Sequence, residues 1–140
     1  MDWSKFSKGV FLVNVLGIIY NPKTKLILIG RRVRDPYIKE LSWCFPGGRP
    51  SYQNDLEFYL KKEIKKKTGF DVNIKQIVFA KTYPEKREFL SIYYLCEVTG
   101  GKTKAGGGFV ELKWVEPEDI EKHFNTSFHP KLKEYILGLK

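Results

Sequence analysis

Residues 47–70 run Gly47-Gly48-Arg49-Pro50-Ser51-Tyr52-Gln53-Asn54-Asp55-Leu56-Glu57-Phe58-Tyr59-Leu60-Lys61-Lys62-Glu63-Ile64-Lys65-Lys66-Lys67-Thr68-Gly69-Phe70. Leu56, Tyr59, Leu60 and Ile64 recur at three- and four-residue spacing, which predicts a helix with one apolar face from Asp55 to Thr68. Asn54 or Asp55 can cap its start, and Gly69 can end it. Glu63, Lys66 and Lys67 lie at i, i+3 and i+4 and share one helix face. Taken alone, lysines in a last turn complement the helix macrodipole, and Glu63 to Lys67 is a favourably oriented surface pair.

Strand patterns flank the helix on both sides. Val10 to Tyr20 and Leu26 to Ile29 are rich in Val, Ile and Leu, and Asn21-Pro22-Lys23-Thr24 reads as the turn between them. A loop from Arg31 to Ser42 contains Asp35-Pro36 and leads into Trp43-Cys44-Phe45-Pro46. After the helix, Val72 to Tyr83 and Phe89 to Val98 read as long strands, and a glycine-rich stretch, Gly100 to Gly108, leads to a short one, Val110 to Val115. Glu116-Pro117-Glu118-Asp119 opens a brief helix, with proline at its first position and acids in its first turn, and Pro130 to Leu139 forms the last. Strands on both sides of a central helix predict an α/β layered domain.

Composition narrows the class. The chain has 140 residues, 42% hydrophobic and 29% charged, which fits one globular domain over 1–140 and excludes a disordered chain. Lys plus Arg number 25 and Asp plus Glu 16, a net charge of +9 that favours phosphate-bearing or other acidic partners. Much of the excess is local, because Lys61 to Lys67 holds five lysines against one glutamate. Cys44 and Cys96 make no disulfide framework or zinc cluster. Val10 to Tyr20 is interrupted by Asn14, is too short to span a bilayer and is followed by no small-residue cleavage site. The expectation is a soluble cytoplasmic protein with no membrane association. The sequence does not set the oligomeric state, and a dimer is compatible with it.

In layout, residues 48–70 resemble the signature box of the Nudix hydrolase superfamily. That box reads Gly, five residues, Glu, seven residues, Arg-Glu, an apolar residue, any residue, Glu-Glu, any residue, Gly and an apolar residue; Gly48 opens it here and Gly69-Phe70 closes it in register. Trp43 to Gly48 is similar to the family's lead-in, the strand ending in Arg31-Arg32 to an earlier strand, and Glu111-Leu112-Lys113-Trp114 to a late one. The resemblance implies a Nudix-type α/β/α sandwich with a mixed sheet. It also implies a pyrophosphohydrolase acting on a nucleotide or nucleoside diphosphate derivative. Its loop–helix–loop would hold Mg²⁺ or Mn²⁺ on carboxylates, to polarise a pyrophosphate and activate water.

The letters that carry this chemistry differ. Asn54 stands at the first Glu, Lys62 at the Arg, and Lys66 and Lys67 at the paired acids, while Glu63 matches. An ammonium cannot coordinate a hard cation. Glu63, with a carbonyl and Glu111, is then a weak metal site at best, and metal-dependent hydrolysis is expected to be weak or absent. In the family this helix face lines the diphosphate cleft, where Lys66 and Lys67 could contact phosphate oxygens and bring the charge the metal would have brought.

The remaining candidates are read beside plainer alternatives. Glu111 is the best carboxylate to join Glu63, or else a strand residue facing solvent. His129, before Pro130, is similar to a histidine base near the C-terminus of the GDP-mannose mannosyl hydrolases, which also read Gly-Gly-Arg as Gly47-Gly48-Arg49 does; or it is a helix-start surface residue. Arg31, Arg32, Arg34 and Arg49 flank the implied cleft and suit phosphate, or lie in solvated loops. Trp43, Tyr93 and Tyr94 could stack a base or serve the core. Gly101-Lys102-Thr103 is no phosphate loop, because position 96 is Cys where that motif needs Gly. Two alternatives to a rerouted hydrolase therefore stand: an inactive module binding nucleotide or, less favoured, single-stranded nucleic acid in a basic cleft, and a GDP-sugar hydrolase-like variant.

Overall fold

Two adjacent runs of β-branched residues form the centre of a mixed sheet. The computed structural model describes residues 8–33, 42–125 and 128–139. β1 (Leu12–Asn21) and β2 (Leu26–Arg32) form an antiparallel pair with Ile19 opposite Leu28. In the turn between them the Asn21 side chain accepts a hydrogen bond from the Lys23 N–H at 2.9 Å. β1 starts two residues later than the apolar run does, because its pairing with β6 (Phe89–Gly101) begins at Leu12 opposite Phe89. Val10 and Phe11 are left exposed. β2 runs past Ile29 to Arg32 because β7 (Phe109–Val115) pairs along it, setting Arg31 opposite Glu111. That extension is non-local and leaves no mark in the strand's own sequence.

β3 (Trp43–Cys44) adds to β2, and β4 (Gly47–Gly48) adds to β1. β5 (Phe70–Thr82) lies at the far edge beside β6, giving the order β3-β2-β1-β6-β5. β1 and β6 are parallel and the other pairs antiparallel, so the sheet is mixed as expected.

Alternation along β1 builds both layers. Ile19 points to one face, where Leu60 and Ile64 of α1 (Leu56–Thr68) pack with Leu28, Tyr94 and Cys96. Ile18 points to the other, with Ile27, Ile29, Phe45, Tyr93, Ile120 of α2 (Ile120–His123) and Leu132 and Ile136 of α3 (Pro130–Leu137). A short 3-10 turn over Pro117–Asp119 leads into α2. The α/β/α sandwich is thus the architecture of the chain. Tyr93 and Tyr94 are core residues, one in each layer. Of the two candidate caps, Asp55 takes the role, accepting from the Phe58 N–H at 2.8 Å. Gly69 ends α1 at φ +82°, with its N–H on the Lys65 carbonyl at 2.9 Å.

Burial gives Cys96 a measurable role in stability. The thiol is fully buried, and desolvation, with Glu57 second, pushes it up from 9.0 to about 12. Above pH 9 the unfolded chain releases this proton while the folded chain keeps it, so the unfolded state binds fewer protons and stability falls as pH rises. The expected slope is up to one proton, about 1.4 kcal/mol per pH unit. Urea midpoints between pH 8 and 10 check it: Cys96→Ala should flatten the dependence by that amount, and an unchanged slope would refute it.

Candidate functional site

α1 carries its chemistry in its last two turns. Glu63, with its side chain 16% exposed, accepts a hydrogen bond from the Tyr59 hydroxyl on Oε1 at 3.0 Å. The two side chains are one turn apart on the same helix face. Lys66 Nζ approaches Glu63 Oε2 at 3.9 Å, from a side chain that is 65% exposed. The Tyr59 hydroxyl is held far above its ordinary ionisation range by burial first and by Glu63 second, with Arg49 opposing. It therefore remains a donor to Glu63.

Lys67 parts company with its neighbour. It is 6% exposed, and its Nζ donates to the Gly47 carbonyl of β4. The Lys67 carbonyl accepts from the Gly106 N–H at 3.1 Å, which fastens the glycine-rich segment onto the end of α1. Desolvation lowers the Lys67 pKa, Glu63 opposes that most strongly, and Arg32 and Lys66 add to the lowering. A buried cation is retained only with such a partner. The ammonium engages the Gly47 carbonyl, and Glu63, one helical turn back, is the charge that most favours it.

The remaining candidates lie around this group or apart from it. Arg31 and Glu111 face each other across β2 and β7 and form an ion pair at 2.9 Å between partly exposed side chains. Arg32 borders the Lys67 group, and Arg49 is exposed beside Tyr59 and Gly48. Asn54 precedes the cap of α1, and Lys62 lies over the Phe58 ring at 5.7 Å on the outer side of the helix. Arg34 falls outside the described residues. His129 is the N-cap of α3. Its Nδ1 accepts from the Lys131 N–H at 3.1 Å, and its ring lies 4.9 Å from that of Phe79. It borders a cavity of about 320 Å³ shared with Lys81, Thr82, Arg87 and Phe128.

Three features of this arrangement were not anticipated from sequence. The Tyr59–Glu63 hydrogen bond had a signal, the i, i+4 spacing. The Gly47 carbonyl, twenty residues before Lys67, had none. Lys81 and Arg87 beside His129 had none either.

Chemically, the box face offers anion-binding cations, Lys66 and Arg49, beside one carboxylate oriented by a phenol. Among the described residues no helix is long and apolar enough to cross a membrane.

The NUDIX domain model matches residues 10–136. The ADP-ribose pyrophosphatase of Methanocaldococcus jannaschii is 29% identical over 115 residues, covering 79% of this chain. The match spans 64% of that relative's own length. Among solved structures, a NUDIX hydrolase from Nitrosomonas europaea superposes with a TM-score of 0.71 at 18% identity, over 91% of this chain and 70% of that one. An ADP-ribose pyrophosphatase from Streptococcus suis gives 0.65 at 20% identity, over 91% and 87%. At these identities the two structures speak to the fold.

Proposed function

The chain belongs to the Nudix family, and from that premise we propose that it binds a nucleoside diphosphate derivative in the cleft beside α1 and hydrolyses it weakly or not at all. The family's usual cofactor is Mg²⁺ or Mn²⁺, and the donor set does not fit it. A hard divalent ion needs several oxygen ligands. Here the helix offers Glu63, six residues from its other carboxylate, Glu57, and the Gly47 carbonyl is engaged by the Lys67 ammonium. Among the described residues no three His, Cys, Asp or Glu side chains gather into a ligand set. The occupied carbonyl is the observation that carries the reading.

The ligand class is supported by the relative from Methanocaldococcus jannaschii, named as an ADP-ribose pyrophosphatase. In this reading Lys66, Arg49, Arg31 and Arg32 meet phosphate oxygens, and Glu63 is the base nearest them, with Glu111 held in reserve by Arg31. His129 caps α3 through Nδ1, on the layer opposite α1, and takes no part in this reading. A nucleotide ligand agrees with the cytoplasmic location expected from the sequence.

A thermal-shift panel of ADP-ribose, nucleoside diphosphate sugars and nucleoside triphosphates, with and without Mg²⁺, tests the proposal when followed by phosphate-release assays on each hit. Saturable stabilisation without metal is expected, about 2.7 kcal/mol at a ligand concentration one hundred times Kd. Lys66→Ala should weaken binding about tenfold, one charge-assisted contact. Turnover that requires Mg²⁺ and reaches an ordinary enzyme rate, on the order of 10 s⁻¹, would overturn the catalytic half. No stabilisation by any nucleotide would overturn the rest.

A further inference from the structure

We propose that the ε-ammonium of Lys67 is a cation the fold carries for itself, seated on the Gly47 carbonyl one helical turn from Glu63, and that it excludes a divalent ion from that point. Lys66 is then the charge that α1 offers to a ligand. Only this last part rests on the binding function proposed above.

Three observations converge. First, a surface lysine keeps its stem on the protein and its head in water, yet Lys67 is buried and its Nζ donates inward to a backbone carbonyl. Second, the lysine stem is covered by the glycine-rich segment. The Gly106 N–H binds the Lys67 carbonyl at 3.1 Å, and Gly107 lies so close that a Cβ there would come within 2.8 Å of Lys67 Cγ. A side chain at 107 would collide with the lysine stem, so the glycine-rich stretch has a packing reason as well as a conformational one. Third, the charges balance. Glu63, a carboxylate at position 67 and a dication would sum to zero, and Glu63 with the Lys67 ammonium also sums to zero. Exchanging the side chain at 67 and the ion together leaves the local charge unchanged in a place where an added charge is costly. The Lys67 substitution is therefore a replacement of the ion rather than only a loss of one ligand. Lys66, at 65% exposure with Glu63 Oε2 at 3.9 Å, keeps its head at the surface and stays available to the cleft.

The test needs no nucleotide, so its failure and the failure of the binding proposal are separate results. The full chain is titrated with Mn²⁺, and the free ion is read by its electron paramagnetic resonance signal. Wild-type protein should leave Mn²⁺ free. Lys67→Glu, which returns a carboxylate next to Glu63 and frees the Gly47 carbonyl, should bind it at one saturable site, with affinity raised on the order of tenfold or more. Lys66→Glu should behave as wild type. Wild-type binding as tight as that of Lys67→Glu would overturn the proposal, as would an equal gain in Lys66→Glu or no gain in a folded Lys67→Glu protein.

Should Lys67→Glu fail to fold, brief acetylation of the wild-type chain, read by peptide mass spectrometry, decides. Lys67 should react on the order of tenfold more slowly than Lys66, because its amine is reached only when the site opens. Equal rates would overturn the proposal.

Discussion

Replacing Glu63 by glutamine should lower the free energy of unfolding by about 2 kcal/mol, the cost of removing the opposing charge one helical turn from a buried ammonium. On an exposed helix the same change would cost a few tenths. The difference comes from Lys67. Lys67 is 6% exposed, and the hydrogen bond of its ammonium to the Gly47 carbonyl satisfies one of its three donors but neutralises no charge. Glu63 is the strongest influence favouring the charged form against desolvation. Glutamine keeps the size and a hydrogen-bonding oxygen for Tyr59 but removes the counter-charge. Lys67→Met in the same background should recover much of the loss, because a thioether of similar length needs no counter-charge. Urea midpoints for wild type, the two single variants and the double variant give a coupling of about 1–3 kcal/mol, and simple additivity would show that no pair exists. The pH dependence has a definite sign. The Lys67 pKa is already lowered from 10.5 and Glu63→Gln lowers it further, so the unfolded chain binds more protons between the two values and stability rises with pH there. The deficit of Glu63→Gln should therefore shrink in alkaline solution.

The site was legible in one respect and misread in another, both for reasons of periodicity. Leu60 and Ile64 mark the buried row of α1, and Lys67 continues that row at i and i+4 and i+7, the spacing of a core-facing stripe. Grouping it with Glu63 and Lys66 on one face was correct as neighbourhood but hid the difference in depth: 6% exposure for Lys67, with a largely exposed side chain on Lys66. A lysine on an apolar row is a signal that its amine has an internal partner. What that partner is could not be read. The Gly47 carbonyl reaches Lys67 only because β4 pairs with β1, and strand pairing between distant segments is not encoded in either segment alone. The same holds for Arg31 and Glu111, joined across the β2–β7 ladder. Local patterns did suffice to narrow the cap to Asn54 or Asp55 and to place the stop at Gly69 and the two-layer core, since each depends on spacing within one element.

The largest loss should come from Gly47→Ala, about 4 kcal/mol, through steric conflict in a well-packed interior. A Cβ at 47 would fall 2.0 Å from the Val15 carbonyl oxygen and 2.8 Å from Leu16 Cα, both on the central strand. No side-chain rotation relieves a clash with backbone, so β4 must leave β1. That breaks the Leu16–Gly47 pairing and the Gly17 N–H bond to the Pro46 carbonyl at 2.8 Å. It also removes the carbonyl from Lys67, so the charge pair and the strand fail together. Gly48→Ala separates the two effects. Its Cβ would meet the Tyr59 hydroxyl at 2.4 Å and Glu63 Oε1 at 3.1 Å, the free ends of side chains rather than backbone. The tyrosine can turn aside, so the expected cost is about 1 kcal/mol, near that of one lost hydrogen bond. Denaturant midpoints for the two alanine variants should therefore differ by roughly 3 kcal/mol although the residues are adjacent. Gly48→Ala should stay folded while the Tyr59–Glu63 contact is displaced, and the tyrosine should then titrate closer to its ordinary value of 10.0 in an ultraviolet pH titration. Equal stability losses for the two variants would mean that the backbone approach at Gly47 is not what holds the box against the sheet.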